Sequence, residues 1–334
     1  MKYHKYGNLF TVHDLAQRDW ALRVFLSSFS AYLIRVNKNM KRCIECGSNF
    51  DSPDWQCPSC DFEPEMVGKW PTFATDMIEE GPEEFDEAIY ARMTACEHHS
   101  FYSRARLKLI RWCLTKFFLQ SGNFYDFSAG TGVVLEAVRS IKPDIQLYAS
   151  DLAVDSLAWV DTRLGGKITL FHTDASHIPF ADHFDVLGAF DVVEHIDDDK
   201  GAMKDLLRTV KPGGGIMLTV PQHMSLWSPL DEEAGHKRRY IGHELARKVR
   251  EAGFDVVLDT SFLAILYPLQ YISRRFLTRI QSRQSFETEH SLPGPLNTLL
   301  GMILSLELLL IKGGARFPFG GIRIVAAYKP KIAS

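Results

Sequence analysis

Two sets of residues in this 334-residue chain have the types and the spacing to do chemistry. The first is Cys43, Cys46, Cys57 and Cys60, two Cys-x-x-Cys pairs with ten residues between them, while Cys96 and Cys113 stand alone. A two-residue gap lets one tight knuckle aim both thiolates at one ion, and a second knuckle completes a tetrahedron. Gly47 follows the first pair and Asp61 the second, where a left-handed backbone is often needed; Asp tolerates that conformation. Pro58 stiffens the second knuckle. The spacing predicts a structural Zn²⁺ rather than a disulfide framework, and iron would fit the same four sulfurs.

The second set begins with DFSAGTG at 126–132. Gly130 and Gly132 let backbone approach a ligand closely, and the helix that follows offers free N–H groups to a polar part of it. Asp151 comes about twenty residues later, at the end of the next strand, where a carboxylate can accept both hydroxyls of a ribose. A dinucleotide loop wants a third glycine where this chain has Leu135, which disfavours a nicotinamide cofactor. Further on, His195 in VVEHI (192–196) and His236 in DEEAGHKRRY (231–240) are candidate bases, because imidazole titrates near neutral pH. Lys237, Arg238 and Arg239 suit either an anionic group on a substrate or their own neighbours Asp231, Glu232 and Glu233. Glu194 beside His195 is a conceivable divalent-ion pair, but two adjacent side chains do not make a site.

These groups need a scaffold. FYDFS (124–128), IQLYAS (145–150) and apolar runs at 168–172, 184–190, 215–220, 255–260 and 322–328 read as seven strands. Helical stretches such as VVLEAVRSI (133–141) and HELARKVREAGF (243–254) alternate with them. The alternation predicts an α/β fold, a doubly wound, Rossmann-like seven-stranded sheet with helices on both faces. The expected organisation is a helical extension over 1–39, a metal ribbon over 40–63, and a linker with helices over 64–122. The α/β domain follows over 123–330, with a helical insertion at 262–320 before the last strand.

With 46% apolar and 24% charged residues the chain can bury a sizeable core, and a net charge of −3 gives no overall basic footprint for nucleic acid. Residues 20–36 are apolar between Arg23 and Arg35, too short for a span and without a cleavage pattern, and read as an amphipathic helix. Reduced thiols held for a metal point to the cytoplasm. The insertion carries apolar stretches at 262–280 and 296–311, the first interrupted by Pro268 and arginines, the second by Asn297 and Glu307. It suits a packed helical pair, a dimer surface, a lid over an apolar acceptor, or a peripheral membrane contact through 262–315. Oligomeric state is open.

CIECGSNFDSPDWQCPSC (43–60) resembles rubredoxin-like zinc ribbons. DFSAGTG, with Ser128 in place of the first glycine, resembles the acidic-x-Gly-x-Gly-x-Gly motif of class I S-adenosylmethionine-dependent methyltransferases. The likeness covers roughly 97–262 and the last strand, and is of the bacterial ubiquinone and menaquinone methyltransferase type. LRTVKPGGGIMLTVP (207–221) resembles that family's helix, glycine turn and fifth strand. The resemblance implies S-adenosylmethionine held by Asp126, Ser128, Gly130 and Gly132, with Asp151 on the ribose and Leu152 beside the adenine. Asp174 and Ala175 would meet the adenine amino group, and Phe190 and Asp191 would line the cofactor after the fourth strand. EHHSFYSRAR (97–106) resembles the lid, with Phe101 or Tyr102 stacking and Arg104 facing the methionine carboxylate. The implied reaction is methylation of a small-molecule or carrier-bound acceptor, on oxygen, with His195 or His236 removing the proton. Methylation of a quinone or lipid-linked glycan at a membrane surface is one alternative; an inactive fold serving as a binding module is the other.

Overall fold

The computed structural model of the protein describes residues 40–74, 87–274 and 292–331. The expected extension over 1–39, part of the expected linker (75–86) and residues 275–291 of the insertion lie outside the described residues.

The ribbon opens with β1 (Lys41–Arg42) paired antiparallel with β2 (Asn49–Phe50). Its two knuckles are built alike. The Gly47 N–H donates to the Cys43 carbonyl at 3.1 Å and the Asp61 N–H to the Cys57 carbonyl at 2.9 Å, with φ +72° at Gly47 and +58° at Asp61. Asp61 therefore does take the left-handed role expected of it. Among the described residues the apolar interior of the ribbon is Cys43, Phe50 and Cys57, with Phe62 packed on them, which is little for a core of its own.

The stretch expected to be linker is partly structured: β3 (Met66–Val67) and β4 (Trp70–Pro71) form a short antiparallel pair. Helices α1 (Glu87–His99) and α2 (Phe101–Phe117) follow, the second capped by Ser100, whose hydroxyl accepts from the Ser103 N–H.

The α/β alternation then unfolds much as the sequence predicts: β5 (Asn123–Phe127), α3 (Val133–Ile141), β6 (Gln146–Asp151), α4 (Val154–Leu164), β7 (Thr169–His172) and β8 (Phe184–Phe190). Next come α5 (Asp199–Thr209), β9 (Val210–Pro221), α6 (Pro229–Glu233), α7 (Glu244–Glu251) and β10 (Asp255–Phe262). The short α8 (Tyr267–Ile272), the long α9 (Gly294–Lys312) and β11 (Ile322–Tyr328) follow among the described residues. The sheet order is β10-β11-β9-β8-β5-β6-β7, in which β11 runs antiparallel to both neighbours and the other pairings are parallel. Every residue of β5 is buried, as expected of a central strand covered on both faces.

One face of the sheet packs against α2, α3 and α9 through Leu109, Leu135, Leu304 and Leu308. The other carries a dense aromatic group, Tyr125, Phe171, Phe180 and Phe184, and is closed by Met203 of α5 and Val249 of α7. The edge strand β7 is not left bare: Thr72 bridges His172 in parallel, and the Phe73 N–H donates to the His172 carbonyl at 2.8 Å. The ribbon is anchored nearby, Lys41 bridging Phe180 and the Arg42 N–H donating to the Pro179 carbonyl at 3.0 Å.

Asn297 and Glu307 do not interrupt the second apolar stretch, because their polar groups are used in tertiary contacts. The Asn297 amide accepts from the Phe101 N–H and donates to the His99 carbonyl, both at 2.8 Å, and buried Glu307 accepts the N–H groups of Ala264 and Ile265 at 3.0 Å. A continuous helix results, with Leu300, Leu304, Leu308 and Ile311 inward at helical spacing. By length and composition α9 is sufficient to cross a membrane.

Candidate functional site

The carboxyl ends of the adjacent parallel strands β5, β6 and β8 lie at one edge of the sheet, the crevice in which open parallel sheets place their ligands. The β5–α3 loop holds three residues at positive φ: Ser128 (+62°), Gly130 (+54°) and Gly132 (+73°). A Cβ on Gly130 would have nothing within 4 Å, so the space in front of the loop is clear. On Gly132 it would stand 3.1 Å from a methyl of Val160, so this glycine lets the loop close onto α4.

The loop is tied to the next strand. The Ala129 N–H donates to the Ser150 carbonyl at 3.0 Å, and the Gly130 N–H to Asp151 Oδ2 at 2.9 Å. Asp151 also accepts from the Ser156 hydroxyl at 2.9 Å and the Ala153 N–H at 3.0 Å. Burial raises its pKa, and these donors work against that rise. Oδ2 takes the Gly130 and Ser156 donors, while Oδ1, which accepts the Ala153 N–H, keeps lone-pair capacity for a ribose hydroxyl. Leu152 is exposed beside it and offers an apolar surface to a flat base.

Asp174 Oδ1 accepts the N–H groups of Ser176 and His177 and pairs with His177 Nδ1 at 2.8 Å; the neighbouring Ala175 is buried. Buried Phe190 leads into Asp191, held at φ +61°. Its Oδ1 accepts from the Thr219 hydroxyl at 2.9 Å and its Oδ2 pairs with Arg106 at 2.7 Å. Asp126 is buried beneath the loop, and burial pushes its pKa well above the usual carboxylate range despite the opposing charge of Arg106. A clear space before a glycine loop, a ribose-height carboxylate and an adjacent apolar side chain fit S-adenosylmethionine.

Arg104 does not face this crevice: it is exposed, with its guanidinium near Gly301. Arg106 takes the inward place, pairing with Asp191 and lying 5.8 Å from the Phe190 ring. Helical spacing was the available signal, since Tyr102 and Arg106 are four residues apart and share a face.

Beside the cofactor crevice lies a cavity of about 320 Å³, lined in part by Phe101, Tyr102, Leu226, Leu263 and Arg274. Glu194 and His236 also line it, which brings together segments forty residues apart in sequence. Glu194 sits in the turn Val193–His195, is 0% exposed, and has no hydrogen-bond partner among the described residues on either carboxylate oxygen. Burial, reinforced by Asp191, pushes its pKa well above the usual range. The ring of His195 stands 4.8 Å from that of His236, nearly perpendicular, and burial followed by the charge of His236 lowers its pKa.

His236 is oriented from behind. Its Nδ1 lies 2.8 Å from Asp231 Oδ1, and Nε2 comes within 3.9 Å of Glu194 Oε1. Asp231 is clamped by Arg239, whose Nε and Nη2 donate at 2.8 and 3.0 Å, and by the Ser228 N–H at 2.8 Å. Burial would raise the Asp231 pKa, but the hydrogen bond from His236 and the Arg239 charge outweigh it and hold it at about 2. The basic cluster is thus committed internally: Lys237 pairs with Asp197, Arg238 with Asp199 and Arg239 with Asp231, rather than standing ready for a substrate anion.

In the ribbon the four sulfurs draw together, with Cys43 and Cys60 at 3.6 Å and Cys46 and Cys57 at 3.7 Å. A tetrahedron with Zn–S bonds of about 2.3 Å has edges of about 3.8 Å, so the donor set fits Zn²⁺.

Residues 97–258 match the family model described as a methyltransferase domain. No curated protein matches the chain significantly. Among solved structures it is similar to phosphoethanolamine N-methyltransferase 2 of Haemonchus contortus in complex with S-adenosylmethionine, at 18% identity and TM-score 0.45, over 66% of this chain and 52% of that one. The chain therefore spans about half the length of that protein. It is also similar to the complex of the Haloferax volcanii Trm112 methyltransferase activator with a methyltransferase, at 16% identity and TM-score 0.49, over 74% and 97% of the two chains. An S-adenosylmethionine-dependent methyltransferase of Mesorhizobium loti matches at 14% identity and TM-score 0.40, over 62% and 90%. The strand order and the glycine loop agree with the family match: residues 97–258 carry a methyltransferase domain.

Proposed function

We propose that the protein transfers the methyl group of S-adenosylmethionine to an oxygen of a small-molecule or carrier-bound acceptor seated in the 320 Å³ cavity. The observation that carries this reading is the cluster of Glu194, His195 and His236, of which Glu194 and His236 line that cavity. Positioning brings acceptor and sulfonium methyl into line, but a hydroxyl must also lose its proton as the methyl arrives, which a neutral amine need not do before attack. The imidazoles of His195 and His236 are the groups on which that ionisation depends. The cofactor side of the proposal assigns Asp126, Ser128, Gly130 and Gly132 to the loop, Asp151 to the ribose, and Leu152, Asp174 and Ala175 to the adenine. Phe190 and Asp191 complete the wall, and Cys43, Cys46, Cys57 and Cys60 hold a structural zinc.

A second observation narrows the acceptor. Helix α8 lends Gln270 to the cavity while Leu269, Tyr271 and Ile272 are exposed, and α9 exposes Leu296, Leu299, Met302, Leu306, Leu309 and Leu310. So much apolar surface beside a cavity suits an acceptor carried on an apolar chain or presented at a lipid surface.

The test is product analysis with isotopically labelled cofactor against a panel of phenols, polyprenyl-linked sugars and amines. The proposal expects the label on oxygen and loss of turnover in His236→Gln. Label on nitrogen with full turnover in that variant would overturn it. Flotation with anionic vesicles tests the surface reading, which expects co-flotation and its loss in Leu306→Glu/Leu309→Glu.

A further inference from the structure

The geometry points to a divalent transition-metal site formed by Glu194, His195 and His236, distinct from the ribbon. One ligand atom from each lies within 4.8 Å of the others. The inference rests on the oxygen-transfer reading above and says how the same cluster brings the hydroxyl to ionise.

Glu194 is the first observation. A fully buried carboxylate normally collects hydrogen bonds, yet among the described residues neither of its oxygens accepts one, and it lines the acceptor cavity. A cation at this point satisfies both the lone pairs and the burial.

His236 is the second, independent one. A ligating histidine usually donates its other ring N–H to a carboxylate, which fixes the tautomer and aims the free nitrogen. Asp231 does this for His236 at 2.8 Å, with Arg239 and Ser228 locking Asp231 in turn. The nitrogen so aimed is Nε2, which faces Glu194 at 3.9 Å.

His195 closes the third side, its ring edge-on to His236. Ligand atoms about 2.0–2.1 Å from Zn²⁺ stand about 3.3 Å apart in a tetrahedron, so rotamer adjustments of an ångström or less would close the site. Two imidazoles with one carboxylate suit Zn²⁺, Mn²⁺, Fe²⁺ or Co²⁺, whereas Mg²⁺ and Ca²⁺ want oxygen alone.

Three protein ligands leave a position open, and Glu194 and His236 place it in the acceptor cavity. An acceptor hydroxyl there would ionise near neutral pH, its proton leaving to water at the cavity mouth. The oxygen lone pair forms the new C–O bond, the C–S bond breaks with its electrons going to sulfur, and the products are the methyl ether and S-adenosylhomocysteine.

The test is Mn²⁺ titration, followed by electron paramagnetic resonance, of full-length protein whose ribbon is already loaded with zinc. Thiolates take Mn²⁺ poorly, so the readout belongs to the nitrogen and oxygen site. A single Mn²⁺ per chain is expected. Affinity should fall at least about tenfold in Glu194→Gln and in His236→Gln, and about 10- to 100-fold in Asp231→Asn, which acts by positioning. S-adenosylmethionine binding by each variant reports that it has folded, and two ligand variants on different segments keep the test sound if one does not. No Mn²⁺ binding by the wild type, or equal affinity in both ligand variants, overturns the inference. Methylation of oxygen that persists after chelation leaves the proposed reaction standing without the ion; Mn²⁺ binding with methylation of nitrogen leaves the ion and removes the reaction.

Discussion

Thr72 Oγ1 lies 2.7 Å from Nδ1 of His172, both side chains fully buried, and the opposite ring nitrogen of His172 lies 2.9 Å from the carbonyl oxygen of Leu152. The segment that leads out of the ribbon is thereby linked through one imidazole to the adenine side of the crevice. The loop carrying Asp174 is held from both ends, by Thr72 at His172 and by Arg42 at Pro179. Trp55 of the ribbon packs edge-on against Phe73 at 4.9 Å and Phe180 at 5.6 Å.

Thr72→Val keeps the shape and removes the hydrogen bond. One such bond is worth about 1 kcal/mol, so the dissociation constant for S-adenosylmethionine should rise about fivefold if the link positions the adenine wall. Removing the ribbon metal with a strong chelator should weaken binding in the same direction. A cofactor affinity within twofold of wild type for Thr72→Val, measured by calorimetry, would show that the contact serves folding only.

Ser128 occupies a left-handed position where the family motif has glycine, which costs a residue with a Cβ about 1 kcal/mol. Ser128→Gly should retain cofactor binding and fold at least as stably. Ser128→Val, with a branched Cβ at φ +62°, should lower the melting temperature and abolish binding. Equal melting temperatures for the two variants would contradict the strain argument.

His183 is enclosed by aromatic rings, stacked 4.6 Å from Phe180 and edge-on to Tyr148 and Phe184, and neither ring nitrogen is hydrogen-bonded among the described residues. Burial, aided by the charge of Lys211, lowers its pKa from 6.5 to about 4. The unfolded chain therefore binds a proton that the folded one refuses between these values. Stability should be intact above pH 6.5 and decline toward pH 4, by about 3 kcal/mol from this group. Urea denaturation across that range should show a flatter slope for His183→Phe; an unchanged slope would remove His183 as the cause.

The strands were legible because a central strand covered on both faces is apolar throughout: 184–190 and 322–328 agree with β8 and β11 to the residue. The cysteine knuckles were legible for a local reason, spacing plus a left-handed residue after each pair. What escaped depends on distant partners. Asn297 and Glu307 read as interruptions of an apolar run because their partners, Phe101, His99, Ala264 and Ile265, are remote in sequence or across a turn. Arg238 and Arg239 read equally well as anion ligands until Asp199 and Asp231 were seen to hold them. His195 and His236 were both singled out, but nothing along the chain shows that their rings meet or that Glu194 joins them.

Calorimetric titration with S-adenosylmethionine tests the central claim most directly. The wild-type protein should bind the cofactor, and Asp151→Ala, which removes a buried acceptor of charge-assisted hydrogen bonds, should weaken binding by at least about tenfold. No binding by the folded wild type, or equal affinity in Asp151→Ala, would contradict the account.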